Sequence, residues 1–192
     1  MLRICIARLN ARRSVSVCIT GLGNPEPAYA NTRHNAGLTM LDMLKDELAP
    51  GKPFISSKTN KLVKYVQKDT LVMLRSDGNY INLSGENVVK LWNKLGKNVL
   101  HIVVHDELSL PLGKVQLRTP GASVRGHNGL KSIVQYCGSD FYRLAIGIGR
   151  PLQRDSHSVA EYVLERFTPQ DLDILRQESF GKASKLVNNL LK

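Results

Sequence analysis

An α/β fold in one domain is what this sequence predicts, and three observations predict it. Short apolar runs that read as strands alternate with segments of helical periodicity. No linker, repeat or low-complexity stretch divides the chain. The 192 residues, 42% of them hydrophobic, are enough for one ordinary core.

Taken in order, residues 15–20, VSVCIT, read as a buried strand. Leu38, Leu41, Leu44 and Leu48 share one helical face, and Pro50-Gly51 stops that helix. LVKYVQ and TLVMLR flank Lys68-Asp69, the pattern of a hairpin or of two neighbouring strands. After Ser84, the positions Val88, Val89, Leu91, Trp92 and Leu95 make an amphipathic helix that Gly96 terminates. VLHIVV is a strand ending at HDELSLPLG. KVQLR is a brief strand, TPGASVRGHNG a loop of small residues, LKSIVQYC a helix, and FYRLAIGIG a strand closed by Pro151. Thr168-Pro169 has the form of an N-cap followed by proline at the first helical position, opening a helix that runs nearly to Lys192.

Charge narrows the class of partner. The chain carries 27 Lys and Arg against 16 Asp and Glu, a net +11 spread from end to end. Such an excess suits a polyanion, either nucleic acid or an anionic membrane surface. No apolar run approaches the ~20 residues that span a bilayer. Cys5, Cys18 and Cys137 are odd in number and lack CxxC spacing, which argues against a disulfide framework and a zinc site and for a reducing compartment. Residues 1–14 include Arg3, Arg8, Arg12 and Arg13, and no acid occurs before Glu26. That composition fits a short mitochondrial presequence; the alternative is a basic tail on a cytoplasmic protein.

The stretch GLGNPEPAYANTRHNAG follows the first strand. It opens as Gly-x-Gly, but Glu26 stands where a dinucleotide fingerprint needs its third glycine, and Gly-Lys-Ser/Thr is absent. The glycines then serve a turn that brings Asn24 to the carboxyl end of a strand. His34 is a candidate general base, since imidazole titrates near neutrality. Asp106, in HDEL at the end of another strand, is a carboxylate able to accept the Nδ1 proton of His34 and stabilise the imidazolium. Alternation alone does not select which of His105, Asp106 and Glu107 points inward. A metal site of His34, His105, Asp106 and His127 competes, without any i, i+4 histidine pair to support it. Asn24, Asn82 and Asn128 all lie beside turns. With no serine or cysteine in a nucleophile elbow, three carboxamides beside a His-Asp pair form a kit for holding an amide-rich substrate and hydrolysing an ester or amide by direct attack of water.

GLGNPEPAYANTRHNAG, NLSG, HDELSLPLG, RGHNGLKSI and RLAIGIGRP, in this order, resemble peptidyl-tRNA hydrolases of the bacterial type, which also occur in mitochondria. The resemblance implies a twisted mixed sheet wrapped by helices, a monomer, no metal or organic cofactor, and cleavage of the ester between a peptide and the 3′ ribose of tRNA. Residue by residue, it implies His34 as base, Asp106 as the acid that orients it, and Asn24 as the residue separating blocked from free aminoacyl-tRNA. Tyr29, Tyr80, Asn82 and Asn128 match substrate-binding positions. Ile81 replaces a methionine common in bacterial members. Ala145 stands where such members carry an arginine for the tRNA 5′ phosphate, so Arg118, Arg125, Lys131 or Arg143 are the candidates for that grip. Physically, carboxamides shaped for a peptide are left unpaired by a free ammonium, a mismatch worth roughly 10⁴-fold in favourable sites. A non-catalytic RNA-binding protein on the same fold is the competing function.

Overall fold

The computed structural model describes residues 15–124 and 126–191; the basic segment 1–14 and Arg125, on which two of the expectations fall, lie outside the described residues. Strands β1 (Val17–Leu22), β2 (Ile55–Ser56), β3 (Lys64–Lys68), β4 (Leu71–Ser76), β5 (Leu100–Glu107), β6 (Val115–Arg118) and β7 (Tyr142–Gly147) form one seven-stranded sheet. Its order is β2-β3-β4-β1-β5-β7-β6. β4, β1, β5 and β7 run parallel, and β3 pairs antiparallel with β4 and with β2, as β6 does with β7. The expected α/β class with a mixed sheet is therefore what the chain adopts. The hairpin expected around Lys68-Asp69 joins β3 to β4, with Lys68 opposite Leu71.

Strand alternation divides the core between the two faces of the sheet. Val17, Ile19, Met73, Ile102, Val104, Leu144 and Ile146 face α1 (Ala36–Leu48) and the C-terminal helices. Cys18, Leu22, Val72, Leu74 and Val103 face α2 (Ser84–Leu95) and α3 (Asn128–Cys137). Both faces are covered, which is why the central strands read as continuous apolar runs rather than alternating ones.

Two departures from the sequence reading concern helices. Residues 156–164 form α4 (Ser156–Leu164), for which no element was expected. None of its residues is fully buried, and only Tyr162 and Val163 pack against the core, so the apolar stripe that periodicity detects is short. Its start signal was present: Asp155 caps it by accepting from Ser158 N at 2.9 Å. The C-terminal helix begins at the expected Thr168-Pro169 with a full capping box. It comprises α5 (Pro169–Ile174), a π-turn at Leu175–Ser179 and α6 (Phe180–Leu190). The two-residue strand β2 was also not foreseen.

The parallel strands bring four carboxyl ends to one edge of the sheet. The loops after β1, β4, β5 and β7 all emerge there, and such edges are where open α/β sheets bind ligands. Gly37 lets the first turn of α1 sit directly on this edge. A Cβ at that position would lie 2.5 Å from Val104 O and 2.7 Å from Leu22 O.

Candidate active site

His34 lies in the 3-10 turn Arg33–Asn35 that leads into α1, and Asp106 lies near the end of β5. Their contact crosses the sheet edge: His34 Nδ1 donates to Asp106 Oδ1 at 2.8 Å. His127, the N-cap of α3, donates from Nε2 to the same oxygen at 3.0 Å. Its Nδ1 accepts from Leu130 N at 3.1 Å, so both ring nitrogens of His127 are engaged. An ionised carboxylate only accepts, so the nitrogens facing Asp106 carry the protons. In neutral His34 this leaves Nε2 bare, with a lone pair to receive a proton.

The electrostatics reinforce that assignment. Burial would push the Asp106 carboxyl up, but His34 and His127 override it and hold it well below the usual carboxylate range. Burial pulls the His34 imidazolium down, yet the charge and hydrogen bond of Asp106 more than compensate and raise it above the ordinary histidine value. His105 takes the opposite course. It is buried and donates from Nδ1 to the Asp106 carbonyl at 2.6 Å, and burial, then His127, lower it to about 3. The ambiguity left by alternation is thus resolved: the Asp106 side chain meets His34, while the His105 ring stays inside. Glu107 accepts from Ser109 and pairs with Arg118 at 3.0 Å.

His34, Asp106, His127 and Asn128 line a cleft of about 510 Å³. Its opposite wall is α4, which presents Val159, Ala160, Val163 and Leu164. The i, i+1, i+4, i+5 spacing puts these on one side of the helix. The other carboxamides are tied to this centre from the side. Asn35 is fully buried; its Oδ1 accepts from Asn24 N at 2.8 Å and its Nδ2 donates to Asn24 O at 3.1 Å. Asn24 Oδ1 accepts from Ile81 N at 2.9 Å, which turns its Nδ2 donor away from Ile81. Ile81 begins the 3-10 turn Ile81–Leu83 that holds Asn82, which is exposed. Tyr29 and Tyr80 meet edge to face, with centroids 6.1 Å apart.

Of the metal set considered from sequence, His34, Asp106 and His127 have donor atoms within 4.8 Å of one another, while His105 stands apart. In the three that do meet, one carboxylate oxygen receives two N–H groups, which is a hydrogen-bonded arrangement.

A family model described as peptidyl-tRNA hydrolase matches residues 18–192. The chain belongs to the peptidyl-tRNA hydrolase family. A family member from Saccharomyces cerevisiae is 48% identical over 169 residues, covering 84% of this chain and 89% of its own length. A Schizosaccharomyces pombe protein described as a probable peptidyl-tRNA hydrolase is 37% identical, covering 98% of this chain and 94% of its own. The crystal structure of the Acinetobacter baumannii peptidyl-tRNA hydrolase superposes with a TM-score of 0.75 at 29% identity, covering 93% of this chain and 92% of the other.

Against the peptidyl-tRNA hydrolase resemblance, the candidate phosphate contacts sort unevenly. Ala145 is buried in β7. Arg143, expected at a surface phosphate, is 2% exposed and donates to Ser123 O at 2.7 Å, so its side chain lies in the interior. Arg118 is held against Glu107, with both side chains about one-tenth exposed. Lys131 is exposed on α3. Sequence reasoning missed Arg150, an exposed residue lining the cleft, although it ends the GIGR segment. It also missed the grip of Asn35 on Asn24 and of His127 on Asp106; the His-Asn pairs of TRHN and GHN were the available signal.

Proposed function

We propose that this chain hydrolyses the ester linking the peptide to the 3′ ribose of peptidyl-tRNA, with His34 as general base. The observation that carries the reading is the His34–Asp106 contact of 2.8 Å at the mouth of a cleft, which leaves Nε2 unprotonated. His34 Nε2 takes a proton from water as its oxygen attacks the ester carbonyl. Asp106 stabilises the imidazolium that forms. The tetrahedral intermediate then expels the ribose 3′ oxygen, which takes the proton from His34. The products are the free peptide acid and tRNA with its 3′ hydroxyl restored. A positioned base of this kind supplies about 10²–10⁴ in rate.

Asn24, Asn82 and Asn128 hold the peptide and 3′ end in this reading, together with the paired rings of Tyr29 and Tyr80. The acceptor stem is gripped through phosphate and ribose, because the A-form major groove is too narrow for side chains. Exposed Arg150, which lines the cleft, and exposed Lys131, in the first turn of α3, are assigned to phosphate in this reading. One copy of the chain carries every group invoked, which supports a monomer. The composition of residues 1–14 supports a mitochondrial destination, which a fluorescent fusion of that segment tests.

The deciding experiment follows peptide release from purified peptidyl-tRNA by the wild type and by His34→Ala. Turnover is expected to vanish in the variant while tRNA binding persists. RNA binding by the wild type with no peptide release under any condition would instead favour a non-catalytic RNA-binding protein.

A further inference from the structure

Arg33 precedes the candidate base, yet its side chain points away from Asp106 and into the segment that joins α4 to α5. Its guanidinium carbon lies 4.3 Å from the centroid of the Tyr162 ring and 5.9 Å from that of Phe167. Nη1 pairs with Glu165 at 2.7 Å, and Nη2 lies 3.8 Å from Asp171. The side chain is only 13% exposed. The backbone follows the same course. Arg33 N donates to Glu165 O and Phe167 N to Asn31 O, both at 2.9 Å, and Thr32 bridges Arg166.

These contacts matter because the apolar hold on α4 is thin. It buries no residue fully, and only Tyr162 and Val163 pack, half-buried, against the core. Tyr162 adds a polar tie, its Oη donating to Ile148 O at 2.6 Å. The turn bearing His34 is secured independently, through the bond to Asp106 and the clasp of Asn35 on Asn24. Arg33 therefore joins a firmly held base to a weakly held cleft wall. The Glu165 carboxylate is 61% exposed, so that ion pair is screened by solvent, and the cation–π contact of the largely buried guanidinium with Tyr162 is the stronger part of the hold.

We propose that Arg33 is a positioning residue that holds α4 as the wall of the cleft, setting how well the peptide end is bound rather than how fast the ester is cleaved. This rests on the hydrolase reading above. Loss of the staple would let α4 swing from the cleft while His34 keeps its partner.

The test compares Arg33→Met and Arg33→Lys with the wild type on purified peptidyl-tRNA, across a salt series, together with hydrogen exchange of the α4 amides. In Arg33→Met, KM is expected to rise about tenfold, with kcat within about threefold of wild type. Arg33→Lys is expected to recover part of the loss, since lysine can pair with Glu165 but cannot stack its plane on Tyr162. The slope of KM against salt is expected to stay at the wild-type value, and amides of residues 156–164 to exchange faster. A tenfold fall in kcat at unchanged KM would overturn the proposal, because Arg33 would then act on His34. A shallower salt slope would overturn it as well, by making Arg33 a phosphate contact. If Arg33→Met does not fold, Arg33→Lys and Tyr162→Leu carry the same readouts. A wild type that releases no peptide would defeat the hydrolase reading, and the exchange rates would still decide whether Arg33 holds α4.

Discussion

His34 and His127 face each other with ring centroids 5.2 Å apart and aim a nitrogen at the same oxygen, Asp106 Oδ1. Their remaining nitrogens differ. His127 Nδ1 is occupied by Leu130 N, the cap of α3, whereas in neutral His34, which lines the cleft, Nε2 is the nitrogen left without a proton. One imidazole can therefore exchange a proton with a ligand, and the other can only hold the carboxylate in place.

Substitution of the two partners should separate these roles. Asp106→Asn keeps the shape but removes the charge that orients His34 and stabilises its protonated form, so single-turnover peptide release should fall by about 10²–10⁴-fold. His127→Ala removes one of two donors to Asp106 and leaves the His34 contact in place. Its rate should fall by only about tenfold, the scale of one lost charge-assisted hydrogen bond. Equal losses in the two variants would contradict the division.

The pH–rate profile follows from His34. As a base it must be neutral, and Asp106 raises its pKa in the folded protein above the ordinary value of 6.5. kcat/KM should therefore climb with pH through a midpoint above 6.5. In Asp106→Asn the supporting charge is gone and burial acts unopposed, so the midpoint should move down. A wild-type midpoint below the ordinary histidine value would contradict the assignment.

Acid stability depends on different histidines. Burial lowers His101 to about 4 and His105, with help from His127, to about 3. Between those values and 6.5 the unfolded chain binds protons that the folded protein refuses, so stability rises with pH across that window. It should thus be lost progressively as pH falls from 6.5 toward about 3. His34, whose folded pKa is raised, contributes in the opposite sense: its share is complete below 6.5 and fades as pH climbs through its folded value. Urea titrations at several pH values should show the midpoint falling on acidification, and less steeply in His105→Gln.

Chelation offers a further check. Three donor groups within 4.8 Å could in principle hold an ion, but each imidazole nitrogen facing Asp106 would first have to give up its proton. The hydrogen-bonded reading predicts full turnover after prolonged EDTA treatment; loss restored by added zinc would favour the metal reading.

What could be read from the sequence is what local rules encode. Val17 to Leu22 and Leu100 to Glu107 are apolar enough to require burial on both sides, so the central strands and their carboxyl ends were legible. His34 and Asp106 were legible as candidates because each follows or ends such a strand. The burial of Arg143 was not legible because arginine is usually exposed, whereas this one, near the start of β7, bonds a backbone carbonyl, a tertiary fact without a local signature. α4 was missed because most of its apolar residues line a cleft and none is fully buried in the core. The roles of Asn35 and His127 depend on chain segments 11 and 21 residues away meeting in space, which spacing alone does not reveal.

Two glycines hold different parts of the cleft at close range, so enlarging each should affect a different kinetic constant. At Gly37 a Cβ would meet Val104 O at 2.5 Å and Leu22 O at 2.7 Å. At Gly85 it would meet Ser132 O at 2.1 Å. Both obstacles are backbone atoms, which cannot rotate aside, so each alanine should cost about 1–3 kcal/mol as elements move apart. Gly37 is one turn along from His34, and lifting α1 off β1 and β5 displaces the base from Asp106. A shift near 1 Å there costs about 10²-fold, and Gly37→Ala should lose it in kcat. Gly85 lies where α2 crosses α3, just after the turn that carries Asn82, and α3 begins at Asn128. Gly85→Ala should therefore spread the two carboxamides and raise KM, with kcat less affected. Thermal melts alongside steady-state kinetics check both halves, and identical kinetic signatures in the two variants would show that the base and the carboxamides are not positioned separately.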